Sequence, residues 1–153
     1  MRWLGTLLLV LSLSGVSIAP AEAAGGGSLK PKNPDFAQAL KLVNDGNFAA
    51  ALPFLEKVVT AEPNNADALN VLGYSQRKLG DRDAALENYL AALEIDPEHR
   101  GANEYLGELY LETGELGKAE ERLKVLDGAC FFGCDEYSEL KESIETYKKQ
   151  QGG

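Results

Sequence analysis

Apolar and small residues recur at helical spacing through the middle of the chain. Leu69, Leu72 and Gly73 fall on one side of a helix, which predicts an amphipathic helix with an apolar face. A second such set follows and comprises Ala85, Leu86, Tyr89, Ala92 and Leu93. Gly80 lies between the two sets, and glycine readily takes the positive φ that ends a helix. The pattern therefore predicts two helices joined by a tight turn.

The same pattern returns after 34 residues. The segment from Ala66 reads ADALNVLGYSQRKLGDRDAALENYLAALEIDPEH, and the segment from Arg100 reads RGANEYLGELYLETGELGKAEERLKVLD. The aligned pairs are Gly73 with Gly107, Gly80 with Gly114, Ala85 with Ala119 and Tyr89 with Leu123. An upstream segment fits the same frame, with Gly46 and Pro63 at the places of Gly80 and Pro97. A period of this length predicts a stack of helix–turn–helix units.

Two glycines of the repeat lie inside predicted helices. Gly73 and Gly107 each cost about 1 kcal/mol of helix stability relative to alanine. Close approach of the paired helix offsets such a cost, because a glycine leaves room for a neighbouring backbone. We expect the approaching residues to be Ala85 and Ala119, which are equally small.

At these residues the chain resembles the tetratricopeptide repeat family, over about residues 33 to 127. The resemblance implies an all-α, right-handed solenoid of three repeats at 33–65, 66–99 and 100–127. The first repeat departs from the pattern, since Gln38 and Ala39 replace the usual Leu-Gly pair.

The chain begins with the features of an exported protein. Arg2 precedes an apolar run at 4–19, and Ala21-Glu22-Ala23 is a small-x-small cleavage motif. We predict a signal peptide at 1–23 and a flexible glycine-rich linker at 24–32, with an uncleaved anchor as the alternative. Cleavage implies a periplasmic protein with no stable membrane insertion.

Charge and composition narrow the classes of function. The formal net charge is −9, and loss of Arg2 and Glu22 with the leader leaves it unchanged. A strongly acidic chain without basic blocks argues against nucleic-acid binding. His99 is the sole histidine, so no Ser–His or Cys–His constellation is expected. We expect neither catalytic residues nor a cofactor.

The segment at 128–134 carries both cysteines, Cys130 and Cys134. In an exported protein, a close pair most simply forms a disulfide. Cysteines four apart in a continuous helix lie too far apart to bond, so the bridge predicts a helix break at Gly128 and Gly133. A redox dithiol and a metal site are the alternatives. The stretch CDEYSELK also resembles the tail of small exported bacterial repeat proteins.

A last helix is predicted at 135–151. Its apolar side comprises Tyr137, Leu140, Ile144 and Tyr147, and its polar side comprises Glu139, Lys141, Glu142, Glu145, Lys148 and Lys149. A solenoid needs a terminal element with a polar outer face. We therefore predict a capping helix.

The family resemblance implies that the first helix of each repeat lines a concave groove. The residues at these positions of the second repeat are Asn70, Tyr74, Arg77 and Lys78. Those of the third repeat are Glu104, Glu108, Leu111 and Glu112. Those of the first repeat are Phe36, Leu40, Val43 and Asn44. We predict that a protein or peptide partner binds there.

Three of these residues form an acidic stripe. Glu104, Glu108 and Glu112 are four residues apart and share one helix face, where like charges repel. The stripe is either a seat for a basic segment of the partner or an ordinary solvated face. The family's carboxylate clamp is not reproduced, since Val71 and Tyr105 occupy positions where the clamp requires polar groups.

These features predict a non-enzymatic protein-interaction module, an adaptor or assembly factor of the periplasm. The alternative is a thiol-dependent redox or metal-handling protein that uses Cys130 and Cys134.

Overall fold

The computed structural model describes residues 32–131 and 133–152. These residues form seven α-helices and the turns between them, so the predicted all-α solenoid is confirmed. The helices are α1 (Pro34–Asn44), α2 (Phe48–Ala61), α3 (Ala66–Lys78), α4 (Arg82–Ile95), α5 (Arg100–Glu112), α6 (Leu116–Ala129) and α7 (Asp135–Gln151). The predicted signal peptide, and the linker up to residue 31, lie outside the described residues.

Local sequence signals place the helix ends. The side-chain oxygen of Asn65 accepts a hydrogen bond from the backbone N–H of Ala68 at 2.9 Å, and thereby caps the start of α3. Gly46, Gly80 and Gly114 adopt positive φ angles of 73°, 90° and 82° in the turns that join the two helices of each repeat. Glycine is the residue that takes this conformation without steric cost. The predicted turns are confirmed.

The packing of the hairpins defines an inner and an outer side of the stack. Within each repeat the two helices pack together, and α3 also contacts α1 while α5 contacts α3. Among the described residues the second helices of successive repeats, α2, α4 and α6, do not contact one another. Elements on the inside of a curve lie closer together than those on the outside. The surface formed by α1, α3 and α5 is therefore the inner face.

The two helical glycines meet different partners. A Cβ on Gly73 would lie 2.9 Å from the Tyr89 ring and 3.1 Å from the Ala85 carbonyl oxygen, so the expected approach of α4 is confirmed. A Cβ on Gly107 would lie 2.6 Å from the Leu140 side chain of α7. At Gly107 the closest approach thus comes from Leu140 of the capping helix, which was not expected, and not from Ala119 of α6.

The capping helix α7 packs on both α5 and α6, and more extensively on α5. Leu140 and Ile144 are buried, whereas the predicted polar side of the helix is exposed. Gly128 lies within α6, so it is not the predicted helix break. The break falls after Ala129 and includes Gly133, whose φ is 81°. No described helix combines the length and the apolar character needed to cross a membrane.

Candidate functional site

An aromatic cluster lies on the inner face at the second repeat. The Tyr74 ring centroid is 4.7 Å from that of Tyr105 on α5 and 5.7 Å from that of Phe48 at the start of α2. Lys78 Nζ stands 5.2 Å from the Tyr74 centroid, within range of a cation–π contact. Tyr74 and Tyr105 are half-buried and Lys78 is exposed. The cluster therefore offers rigid, partly accessible aromatic surface.

A buried guanidinium supports this cluster. The Arg77 side chain is only 6% exposed and forms ion pairs with Glu108 and with Glu112, the latter at 2.9 Å. Its carbon Cζ lies 5.8 Å from the Tyr105 centroid. Burial opposes the charge, but Glu108 outweighs it with help from nearby groups and raises the pKa of Arg77. Arg77 therefore remains a cation that links α3 to α5.

Glu104 has the opposite environment. The residue is only 3% exposed, and its carboxyl faces that of Glu139 on α7, with Glu108 and Glu136 nearby. Burial first, and then the hydrogen bond with Glu139, raise the pKa of Glu104 to about 9. Burial thus favours the protonated form of Glu104, which can donate a hydrogen bond to Glu139.

The predicted partner-binding residues are thus distributed over three environments. Asn70, Arg77 and Glu104 are buried, Glu108 is half-buried, and Lys78 and Glu112 are exposed. The glutamates share one face of α5, but Arg77 pairs with Glu108 and Glu112, and Arg82 also pairs with Glu112. Glu104 is removed from solvent. The structure therefore does not present an open stripe of three negative charges. Partner binding by these residues stays a prediction.

The inner face at the first repeat is more apolar. Phe36 belongs to the core cluster and is 8% exposed, while Leu40 and Val43 pack partly buried against the same cluster. Asn44 is exposed. Of the residues predicted to line the groove here, Phe36 is thus mainly a core residue.

Sequence reasoning missed three residues of this site. Tyr105 and Phe48 complete the aromatic cluster with Tyr74, and Glu139 completes the carboxyl pair with Glu104. Tyr105 could have been found from the sequence, because it follows Glu104 near the start of the first helix of its repeat. No local signal marked Glu139, because its partner lies more than thirty residues away in sequence.

A groove of about 590 Å³ runs between α5 and α7. Its lining residues include Leu111 and Glu112 from α5, and Glu139, Glu142 and Tyr147 from α7. The last helix therefore extends the inner face in addition to covering the end of the stack. The groove thus combines apolar Leu111 and Tyr147 with acidic side chains.

The cysteine segment forms the structural element predicted for it. Cys130 and Cys134 are joined by a disulfide between the end of α6 and the start of α7. The described residues contain no group of three or more His, Cys, Asp or Glu side chains that could hold a metal ion. His99 accepts a hydrogen bond from the Ala102 N–H at Nδ1 and meets Asp67 at Nε2, 3.0 Å away. It caps α5.

Comparisons with known proteins agree with this architecture. The tetratricopeptide repeat profile matches residues 36–77 and 71–129. Cellulose synthase operon protein C of Escherichia coli is 39% identical over 61 residues, which cover 40% of this chain and 5% of that protein. The chain thus spans a small part of the length of this curated relative.

A solved structure matches nearly the whole described solenoid. The type III secretion translocator chaperone SycD of Yersinia enterocolitica superposes with a TM-score of 0.70 at 16% identity, over 78% of this chain and 84% of that chain. SycD in complex with a peptide of the translocator YopD superposes with a TM-score of 0.65 at 18% identity, over 76% and 92% of the chains. At these identities the likeness is one of fold. Because the repeat profile covers more than half of the sequence, the chain belongs to the tetratricopeptide repeat family.

Proposed function

We propose that this chain is a periplasmic protein-interaction module that binds a segment of a partner protein on its inner face. The observation that carries the proposal is the half-buried cluster of Phe48, Tyr74 and Tyr105, fixed in place by buried Arg77. Tyrosine and arginine supply a large share of the energy at protein interfaces, because they offer large contact area and a polar group together.

Two further observations support a binding role. Glu112 pairs with Arg77 beside the aromatic cluster and also lines the groove between α5 and α7, so one extended or helical segment could contact both surfaces. The related fold of SycD has been solved with a peptide of YopD bound. The periplasmic location rests on the leader-like sequence at 1–23.

Site-specific photo-cross-linking in the native host tests the binding surface. A photoreactive amino acid replaces Lys78 beside the aromatic cluster, and the matched control replaces Leu90, which is 43% exposed on α4. We expect a discrete partner adduct from position 78 and none from position 90. Tyr74→Ala should suppress the adduct at position 78. Adducts from position 90 alone would place the interface on the outer side.

Recovery of the protein from the periplasmic fraction tests the location. N-terminal sequencing should read from Ala24, and the cleaved protein should show tyrosine fluorescence only, because Trp3 is the sole tryptophan. Tryptophan emission from the recovered protein would instead support the retained anchor.

A further inference from the structure

The loop between α6 and α7 presents an aromatic side chain to solvent. Phe131 lies between Cys130 and Cys134 and is 92% exposed, whereas no other large apolar side chain of residues 32–131 or 133–152 exceeds 48%. Burial of apolar area is the main favourable term in folding, and Phe131 contributes almost nothing to it. Packing within this chain therefore does not account for an aromatic residue at this position.

Two links hold the backbone of Phe131 in place. The disulfide joins Cys130 to Cys134, whose Cα atoms lie 5.6 Å apart. Inside the ring that the disulfide closes, the Gly133 N–H donates a hydrogen bond to the Cys130 carbonyl oxygen at 3.0 Å. A bond between residues three apart closes a β-turn, and Phe131 lies within that turn. A side chain presented from a constrained turn loses less conformational freedom when it binds, which favours affinity.

The concave surface beside this loop is acidic. A cavity of about 570 Å³ adjoins both ends of the loop, since Ala129 and Glu136 line it. Its other lining residues are Asp67, Asp96, Glu98, His99 and Arg100. Four carboxylates thus surround one arginine and one histidine, and the histidine already lies 3.0 Å from Asp67. A partner that covers this surface is matched in charge if it carries basic side chains.

We infer that the loop at 130–134 is a docking element, and that Phe131 enters an apolar socket on a partner protein whose rim carries lysine or arginine. The rim faces the carboxylates of the neighbouring concave surface, while the socket covers the ring. This surface shares no residue with the aromatic cluster at Tyr74, so the inference goes beyond the proposed function. An anionic lipid surface fits the loop poorly, because the acidic side chains beside it would be repelled.

Photo-cross-linking from position 131 of the full chain in the native host tests the contact. Benzoylphenylalanine keeps an aromatic ring at this position, and Leu90 on α4 supplies the control position. We expect a discrete protein adduct from position 131 and none from position 90. Mass spectrometry should map the adduct to apolar residues of the partner that adjoin a lysine or arginine. Cross-links to lipid, to a second copy of this chain or to an acidic surface would overturn the inference.

Competition by purified full-length variants measures the contribution of the aromatic ring and of the disulfide. Unlabelled wild-type chain, added to an extract of the host, should suppress the adduct from position 131. Phe131→Ser should require about thirtyfold more protein for the same suppression, whereas Leu90→Ser, which removes another exposed apolar side chain, should match wild type. Joint replacement of Cys130 and Cys134 by serine keeps Phe131 but frees the loop, and should require about fivefold more.

A charge variant tests the basic rim. Glu98→Gln should compete about threefold more weakly than wild type at low salt and equally at high salt, whereas Glu145→Gln, on the exposed side of α7, should match wild type throughout. Helical circular dichroism should be unchanged in all variants. Equal competition by wild type and Phe131→Ser, equal competition by wild type and Glu98→Gln, or no adduct from position 131 would each overturn the inference. An adduct at position 78 despite such a result would leave the proposed function standing.

Discussion

The second and third repeats share one register but fill their interiors differently. In the second repeat the buried Tyr89 ring of α4 lies over Gly73 and occupies the space between the two helices. In the third repeat the equivalent residue is Leu123, which is smaller and half-buried. The space over Gly107 is filled instead by Leu140 from α7. The second repeat is therefore internally complete, whereas the third depends on the capping helix for its packing.

The inner faces of the two repeats differ in the same way. Arg77 of the second repeat is stabilised by carboxylates of the third, so its charge is matched within the solenoid. Glu104 of the third repeat instead lies near the carboxyl groups of Glu136 and Glu139 on the capping helix. The capping helix therefore completes the core of the third repeat. It also covers Glu104, a buried acidic residue that forms no ion pair with a basic side chain of residues 32–131 or 133–152.

The largest expected effect comes from Leu140→Ala. Leu140 is fully buried against Gly107, so truncation removes the side chain that fills the third repeat and leaves a cavity. Urea denaturation should show a loss of about 3–4 kcal/mol in the free energy of unfolding. Leu90→Ala, at an exposed leucine of α4, should cost no more than about 0.5 kcal/mol. Equal losses in both variants would mean that the third repeat is complete without the cap.

Arg77→Met should have the next largest effect. The substitution keeps an apolar stem but removes the cation between Glu108 and Glu112. Glu112 keeps its ion pair with Arg82, whereas Glu108 loses its partner. Because these carboxylates are partly solvated, we expect a loss of about 2–3 kcal/mol in unfolding free energy, below the range for a fully buried pair. Lys78→Met, one residue away and exposed, is the control. High salt should reduce the difference in unfolding free energy between wild type and Arg77→Met only slightly, since buried ion pairs are weakly screened.

Loss of the disulfide should have a smaller effect. Replacing both Cys130 and Cys134 by serine releases a short loop between α6 and α7. The chain-entropy model gives a loss of about 2 kcal/mol for a loop of this length. A reducing agent should lower the thermal midpoint of the wild-type chain toward that of the double variant, whose own midpoint should not move. If the wild-type protein instead showed free thiols before reduction, the redox alternative would gain support.

The final expected effect has the opposite sign and grows with pH. Glu104→Gln keeps the size and hydrogen-bonding capacity of the side chain. Glutamine is neutral at every pH, whereas the buried glutamate is neutral only after it takes up a proton. The raised pKa, about 9, means that Glu104 stabilises the wild-type fold fully below about pH 4.5 and loses this contribution as pH rises toward 9. We expect the variant to equal wild type near pH 4, to be more stable by about 1 kcal/mol near pH 5, and to gain further as pH rises. A difference independent of pH would mean that Glu104 does not hold the proton.

Several features could be predicted because they depend on neighbours in sequence. The turn glycines Gly80 and Gly114, the proline that follows α4 and the polar side of α7 all lie where the repeat pattern indicates. The break between Cys130 and Cys134 also follows from their spacing, although Gly128 proved to be helical. The close approach of Leu140 to Gly107 was not predicted, because the repeat pattern does not record that Leu123 is smaller than Tyr89 and that another helix packs at this position.

The sequence by itself determined the period, the helical hairpins and which residues share a face, since these depend on 3.6 residues per turn and on the φ preferences of glycine and proline. The tertiary structure decided which charges meet. Whether a glutamate of α5 faces Arg77 or Glu139 depends on the rotation and approach of α3 and α7, whose contacts join residues thirty or more positions apart. Small differences in side-chain volume, such as Tyr89 against Leu123, set that approach, because a close-packed interior leaves no voids that could absorb them.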